Sequence, residues 1–292
     1  MREKIRKILV RIKIILFSLL PLHFISKITY RISRIEERNI KNLLIRLYIY
    51  LFNISLDEYK FKKVKDYKSL NDFFVRPLDL EFRNKIENNN NIISPCDGII
   101  KGYGDFNNKT FIHAKKYKYS IDSLIGDKKN KFENGKYINI YLQPKNCHRV
   151  YMPCEGTLKN ITHIPGTLYS VAPYATENIS NLYTMNERVV IFFDDNDISI
   201  VLIMIGAVNV GSISVGEFGI VCPSYARKNL ITPTDYEIEK SKYKKGDEVG
   251  MFNLGSTVIC LFNSEKELIW NEKIKVENEI FIRDEIIKSS CP

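Results

Sequence analysis

The residues with the most specific chemistry in this chain are Leu254-Gly255-Ser256-Thr257, close to the C-terminus. A Gly-Ser peptide bond can cleave itself in a strained turn, because the serine hydroxyl then lies against the preceding carbonyl and glycine leaves that carbonyl uncrowded. Attack gives an ester, β-elimination splits the chain, and the remaining dehydroalanine hydrolyses to a pyruvoyl group. Such a ketone is an electron sink for amine chemistry. A lone Gly-Ser-Thr is usually an ordinary turn, so the surrounding motifs must decide.

Asp97 and His148, much earlier in the sequence, are of the residue types that this cleavage needs. Asp97 lies in Pro95-Cys96-Asp97-Gly98, a turn-like sequence in which aspartate is common for structural reasons. His148 is one of four histidines, and a single histidine before an arginine is more often a surface or core residue than a catalyst. A serine nucleophile needs a base near its hydroxyl and a carboxylate that orients the base, so both residues are candidates for a relay.

Several segments together resemble the phosphatidylserine decarboxylase family, of the bacterial, membrane-associated, pyruvoyl-dependent type. The resemblance extends from about residue 60 to 262 and more loosely over the N-terminal helices. The matching segments, in the expected order, are Phe73-Phe74-Val75-Arg76-Pro77-Leu78, Ser94-Pro95-Cys96-Asp97-Gly98, residues 141–150, residues 165–171, Asn186-Glu187-Arg188, residues 206–213 and the segment 245–257 that ends in Leu-Gly-Ser-Thr.

The resemblance implies a role for each candidate. Cleavage between Gly255 and Ser256 would give a large chain, 1–255, and a small chain, 256–292, that carries a covalent pyruvate (pyruvoyl) cofactor at position 256. Asp97 would belong to the cleavage relay, and His148 would assist decarboxylation or protonation. The implied reaction converts phosphatidylserine to phosphatidylethanolamine through a Schiff base, and it requires no metal and no diffusible cofactor.

Tyr151 is the main departure from the family pattern, which continues His-Arg-x-His where this chain has His148-Arg149-Val150-Tyr151. The missing second histidine is the one assigned to the relay with the aspartate and the serine. Tyrosine has an unperturbed pKa near 10 and is a poor general base at neutral pH. Three outcomes are open: His148 takes the base role, Tyr151 positions Ser256, or processing is slow.

Other functions compete with this interpretation. A membrane-associated serine hydrolase could use Ser256, Asp97 and His148, although the Gly-x-Ser-x-Gly elbow of such enzymes does not occur. A lipid-binding relative could have lost processing through Tyr151, and a family member could act on another serine phospholipid. Intact-mass spectrometry distinguishes a pyruvoyl enzyme, which gives two fragments, from the hydrolase and the lipid-binding relative, which each give one chain.

The N-terminal segment concentrates the positive charge of the chain. Residues 1–41 contain eleven Lys or Arg and three acids, a net charge of +8 out of +10 for all 292 residues. Apolar residues recur at helical spacing from Ile5 to Leu19, and again at Ile25, Ile28, Ile32 and Ile35, beside one stripe of Lys27, Arg31, Arg34, Arg38 and Lys41.

The uncharged run 14–26 is shorter than the roughly 20 residues that a membrane-spanning helix needs, and no signal-peptide cleavage site follows it. The run Leu43 to Leu56 is expected to pack between helices.

This pattern favours helices that lie in the headgroup layer and bind anionic lipid. A helical bundle with a solvated basic face is the alternative, and the sequence lacks nucleic-acid-binding motifs. The expected location is the cytoplasmic side of the cell membrane, as a peripheral protein. The expected partners are phosphatidylserine, the anionic membrane surface and the protein's own small chain, with a homodimer as a further option and no nucleic acid.

The pattern of the remaining sequence predicts a β-rich catalytic domain. Short β-branched runs separated by Gly and Pro occur at 99–100, 137–142, 189–193, 198–205, 208–213 and 257–262. The fold class is therefore α+β, with an N-terminal amphipathic helical module (1–56), a connector (57–91) and the β-rich catalytic domain (92–292). Six cysteines without a Cys-x-x-Cys pair are typical of reduced thiols.

Overall fold

The computed structural model describes residues 20–87, 90–113, 117–127, 131–195, 197–208, 212–222, 241–253 and 256–289. The helix predicted between Ile5 and Leu19 lies outside these residues, as does Cys291. The other five cysteines are buried and reduced, as expected.

Two longer helices precede the sheets, α1 (Leu22–Ile32) and α2 (Arg38–Phe52). The Glu37 carboxylate caps α2 by accepting hydrogen bonds from the backbone NH groups of Asn39 and Ile40. Asn53 ends this helix in the left-handed conformation, with φ 48°. Shorter helices follow at α3 (Leu70–Phe74), α4 (Ile121–Ile125), α5 (Pro173–Thr176) and α6 (Leu182–Met185).

Strands make up most of the remaining described chain. They are β1 (Ile92–Ile93), β2 (Gly98–Phe106), β3 (Thr110–His113), β4 (Tyr117–Ser120), β5 (Gly135–Leu142), β6 (Arg149–Tyr151), β7 (Gly156–Ile164), β8 (Arg188–Asp194), β9 (Ile198–Ile205), β10 (Ile213–Val215), β11 (Gly219–Cys222), β12 (Lys242–Tyr243), β13 (Glu248–Phe252), β14 (Ser256–Ser264), β15 (Leu268–Trp270), β16 (Glu279–Ile280) and β17 (Glu285–Ser289). Antiparallel pairing joins every neighbouring pair of these strands.

Two sheets enclose the main core. The larger has eight strands in the order β12-β7-β8-β9-β14-β5-β2-β16, and the smaller has four in the order β11-β10-β13-β6. Apolar side chains of both sheets, such as Ile140 and Val258 from the larger and Val150 and Phe252 from the smaller, pack in one cluster. A second cluster covers the other face of the larger sheet and includes Leu124 and Leu182 from short helices.

Strand β14 lies inside the larger sheet, paired with β5 on one side and β9 on the other. Because both faces of the sheet are covered, β9 is buried continuously from Ile200 to Ile205 rather than alternately. This arrangement of helices and antiparallel sheets confirms the predicted α+β class.

Two local predictions were wrong. The run Leu43 to Leu56 does not pack between helices, because Leu43, Leu47, Tyr50 and Leu51 on α2 are exposed. The strand predicted for 208–213 lies partly outside the described residues, and its last residue, Ile213, begins β10.

The basic stripe of the N-terminal segment is also not continuous, because α1 ends at Ile32 and α2 begins at Arg38. Lys41 is buried and donates to the backbone carbonyls of Lys65 and Tyr67. Lys27, Arg31 and Arg38 remain exposed.

Residues 57–91 pack closely against the sheets, with Phe73, Phe74 and Arg76 almost fully buried. The division into residues 1–56, 57–91 and 92–292 remains a prediction. Within the part of the chain that the structure describes, no helix combines the length and the apolar character needed to cross a bilayer.

Candidate active site at the β13–β14 junction

The predicted cleavage sequence lies where the chain passes from the smaller sheet to the larger one. β13 ends at Phe252, which pairs with Ile213, and β14 begins at Ser256, whose backbone pairs with Leu142 of β5. Leu254 and Gly255 fall outside the described residues. Phe252 and Ser256 therefore belong to different sheets, and long-range strand pairing holds each of them.

Asn253, the last described residue before the bond, is held by a polar network. Its backbone NH donates to the Ser212 carbonyl at 2.8 Å, and its side-chain NH2 donates to the hydroxyls of Ser212 at 2.7 Å and Ser214 at 3.0 Å. The side-chain Oδ1 of Asn253 accepts from the side-chain NH2 of Asn71 at 3.4 Å, and Arg34 donates to the Ser212 hydroxyl at 3.2 Å. The segments after α1 and in α3 therefore contact the cleavage junction directly.

His148 lies beside this junction and is fully buried. Its backbone carbonyl accepts from Phe252 at 2.9 Å, and its ring packs on Phe74 with the centroids 4.0 Å apart. Burial lowers the pKa of His148 to about 3, and the positive charge of Arg76 adds to this effect. The imidazole is therefore neutral at physiological pH.

The hydrogen bond of His148 determines its tautomer. Nε2 lies 3.1 Å from the backbone carbonyl of Gln143, which can only accept, so Nε2 carries the proton. Nδ1 then has a lone pair, and it has no hydrogen-bond partner among the described residues. A buried nitrogen lone pair without a donor is chemically suited to accept a proton.

Arg76 fixes the loop that carries Gln143. It is fully buried, and its guanidinium donates to the carbonyls of Lys145 at 2.6 Å and Asn146 at 3.3 Å. Asn146 in turn donates its backbone NH to the Gln143 carbonyl at 2.9 Å. The carbonyl that sets the His148 tautomer is thus held by a chain of contacts from a residue about 70 positions upstream in the sequence.

Asp97 lies in a different cluster and is also buried. One carboxylate oxygen accepts from the Arg83 guanidinium at 2.8 Å, and the other accepts from the backbone NH of Ile282 at 2.7 Å. Burial raises the pKa of Asp97, whereas the Arg83 contact opposes this rise. Arg83 also pairs with Glu58 at 2.9 Å, so it links two acidic groups.

Tyr151 shares the surroundings of Asp97 rather than those of His148. It packs with Tyr59, Leu78, Cys147 and Ile282. Burial raises the pKa of Tyr151 well above its usual value, and the nearby Cys147 and Glu248 and, to a smaller extent, the negative charge of Asp97 contribute to the rise. The phenol is therefore an even weaker base here than in water.

The structure thus places His148 beside Phe252, the last residue of β13, and Asp97 near Tyr151. Among the described residues, no hydrogen bond joins Asp97 to either His148 or Tyr151. Sequence reasoning missed Arg83 as the partner of Asp97. Arg76 and Asn253 lie within the matching segments, but their contacts span up to about 180 residues, so no local pattern could reveal their roles.

Comparison with known proteins agrees with this site. Residues 70–287 match the family model described as phosphatidylserine decarboxylase. The chain is 36% identical over 258 residues to the phosphatidylserine decarboxylase proenzyme of Vibrio parahaemolyticus, covering 86% of this chain and 90% of that protein. It is also 36% identical to the proenzymes of Nitrosococcus oceani, over 263 residues and 89% and 85% of the two chains, and of Blochmanniella pennsylvanica, over 273 residues and 89% and 92%. The chain therefore belongs to the phosphatidylserine decarboxylase family.

Proposed function

We propose that this protein decarboxylates phosphatidylserine to phosphatidylethanolamine, after cleaving itself between Gly255 and Ser256. One observation carries the proposal: Ser256 begins a central strand, and the preceding described strand ends at Phe252, which is hydrogen-bonded to the backbone of a buried, neutral histidine whose Nδ1 has no hydrogen-bond partner among the described residues. The relatives' name, proenzyme, describes precursors that require processing. The low-dielectric surroundings also favour loss of a carboxylate as neutral CO2.

For the cleavage step, Nδ1 of His148 would accept the proton of the Ser256 hydroxyl. The network around Asn253 and the pairing of Ser256 with Leu142 would hold the two ends of the turn. Glycine at position 255 leaves the attacked carbonyl uncrowded. Asp97 would act from a distance, since its carboxylate is hydrogen-bonded to Arg83 and the Ile282 NH and not to His148.

A pyruvoyl group formed from Ser256 would supply an electron-accepting ketone next to the substrate amine. The site suits such a group, because His148 is buried there and its unpaired Nδ1 can hold or deliver a proton. The same atom that serves cleavage would then protonate the product carbon. Metal and diffusible cofactors have no part in the proposed reaction.

We further propose that α1 and α2 hold the protein on the membrane as a peripheral protein on the cytoplasmic side. Large apolar side chains are exposed on both helices, with Phe24 at 62%, Leu43 at 67% and Leu51 at 61%. Exposed Lys27 and Arg31 lie on the same segment. Apolar groups beside cations fit the interface of an anionic bilayer, where each cation adds about 1 kcal/mol. Such a bilayer also presents the proposed substrate.

Intact-mass spectrometry of the purified protein tests the cleavage. We expect two polypeptides, residues 1–255 and residues 256–292, the smaller with a blocked N-terminus and 292 − 255 = 37 residues. Ser256→Ala should give one full-length chain without decarboxylase activity. A full-length wild-type chain that is active would exclude the pyruvoyl mechanism. A full-length, inactive chain that binds vesicles would instead support the processing-deficient lipid-binding relative.

A further inference from the structure

Three side chains of types that can bind a metal lie close together outside the cleavage junction. His163 lies on β7, Glu187 directly precedes β8, and Cys222 ends β11. All three are buried, and one donor atom from each lies within 4.8 Å of the other two. His163 Nε2 and Glu187 Oε1 are 2.7 Å apart.

Strand pairing separates this cluster from the proposed active site. Arg188, the neighbour of Glu187, pairs with Ile205, and Ile205 pairs with Thr257 of β14. Two strand steps therefore lie between Glu187 and the Gly255–Ser256 bond, and the cluster takes no part in the proposed cleavage.

The donor set suits zinc. Imidazole nitrogen, carboxylate oxygen and thiolate sulfur are the three ligand types that Zn²⁺ takes in proteins, and sulfur excludes the harder Mg²⁺ and Ca²⁺. Tetrahedral zinc with its usual bond lengths holds such donors about 3.4 to 3.6 Å apart. His163 Nε2 and Glu187 Oε1 are 2.7 Å apart and all three donor atoms lie within 4.8 Å of one another, so the set is compact enough for one ion to reach all three after the side chains adjust.

Charge balance supports the same ligand. The Glu187 carboxylate is buried, and the guanidinium of the adjacent Arg188 does not face it, because it donates to the carbonyls of Leu124, Ser123 and Thr184. A divalent cation would neutralise one carboxylate and one thiolate, with His163 as a neutral ligand.

We propose that His163, Glu187 and Cys222 bind one Zn²⁺ ion, with the fourth coordination position open to water. β7 and β8 belong to the larger sheet and β11 to the smaller one. The ion would therefore cross-link the two sheets that enclose the core, as a structural site independent of the decarboxylase reaction.

The test uses the full-length wild-type protein, stripped of metal with a chelator and dialysed against Zn²⁺ or Co²⁺. We expect about one ion per chain by elemental analysis, a rise in Tm with Zn²⁺, and thiolate-to-cobalt charge-transfer absorption in the near ultraviolet with Co²⁺. Cys222→Ser should abolish the absorption and weaken Zn²⁺ binding at least about 100-fold, since even partners outside the coordination shell contribute up to that factor.

Two further variants keep the result interpretable. His163→Gln should weaken binding while retaining the cobalt–thiolate absorption at high Co²⁺. Cys154→Ser, which removes a different buried thiol, should bind as the wild type does. The proposal is overturned if the folded wild type takes up no stoichiometric Zn²⁺, or if Cys222→Ser and the wild type bind with the same affinity and the same absorption.

Discussion

At the residue scale, His148 makes the stability of this protein depend on pH. Its pKa is about 3 in the folded protein and 6.5 in the unfolded chain. As the pH falls below 6.5, His148 binds a proton in the unfolded chain but stays neutral in the folded protein. The free energy of unfolding therefore decreases. The loss is complete only near pH 3, the folded value.

Urea denaturation measures this effect in the Ser256→Ala variant, which should keep the chain in one piece. Between about pH 7 and about pH 4.5, we expect His148 to account for about 2 to 3 kcal/mol of lost stability. The double variant with His148→Asn should lack that part of the slope. An identical slope in both proteins would mean that His148 is exposed to water and titrates normally.

His148 and Tyr151 compete for the role of cleavage base, and the geometry favours His148. We expect His148→Ala to slow the appearance of the small chain by about 10²–10⁴-fold, the usual contribution of a general base. Tyr151→Phe is the matched control and should cleave at the wild-type rate, because the phenol stays protonated. Fast cleavage by His148→Ala together with none by Tyr151→Phe would assign the base to Tyr151.

Restoring the family histidine should have the opposite effect. In Tyr151→His, an imidazole would lie near Asp97, whose charge already reaches the phenol. A carboxylate that orients an imidazole forms the usual relay, so we expect faster cleavage, by up to about 10²–10⁴-fold. Time-resolved gel analysis of freshly synthesised chain measures it. Unchanged kinetics would show that the relay of the family has been replaced completely.

The sequence motifs identify Ser256, Asp97 and His148 as candidates, but they do not show which of these residues are neighbours. The pairing of Asp97 with Arg83 and the contacts of His148 with Gln143 and Phe74 depend on the folded sheets. The protonation state of His148 follows from burial, which no single motif encodes.

At the element scale, Asn253 connects the junction to α3 through Asn71, and to the segment after α1 through Ser212 and Arg34. Asn253→Ala would remove hydrogen bonds to Ser212, Ser214 and Asn71, each worth about 1 kcal/mol. We expect cleavage to slow at least about 10-fold, because the turn is less well held. Asn263→Ala, on the exposed end of β14, is the control and should cleave normally. Equal rates in the two variants would remove Asn253 from the positioning of the turn.

The exposed faces of α1 and α2 predict salt-sensitive membrane binding. Leu47→Glu adds a negative charge where the side chain is 50% exposed, so the fold should tolerate it. We expect weaker sedimentation with anionic vesicles and an unchanged Tm. Ile269→Glu, at 49% exposure on β15, should bind as the wild type does. Equal loss of binding in both variants would show a general charge effect and no specific membrane face.

Element prediction from sequence succeeded where periodicity coincided with burial. Residues 137–142 and 198–205 form β5 and β9 because both faces of the larger sheet are covered. It failed at Leu43 to Leu56, because the run is apolar but Leu43 and Leu51 are exposed rather than packed between helices.

At the scale of the whole molecule, the proposed small chain contributes an interior strand. β14 pairs with β5 over seven residues and with β9 over eight. We expect the two chains of the mature protein to remain together in gel filtration, including at high salt, because salt screens charge pairs but does not weaken apolar burial. They should separate only in denaturant. Release of the small chain under native conditions would contradict the pairing described for β14.

If the chain is cleaved as proposed, the central position of β14 would also change how the protein refolds. Before cleavage, the strand is inserted by a chain that folds as one molecule. Afterwards, recovery from unfolding would require two separate polypeptides to find each other, at a rate that depends on their concentration. At low concentration that recovery would be slow, so the working lifetime of a cleaved molecule would be set by its first global unfolding. The buried, continuous core around β9 and β14 then protects the enzyme by making that event slow.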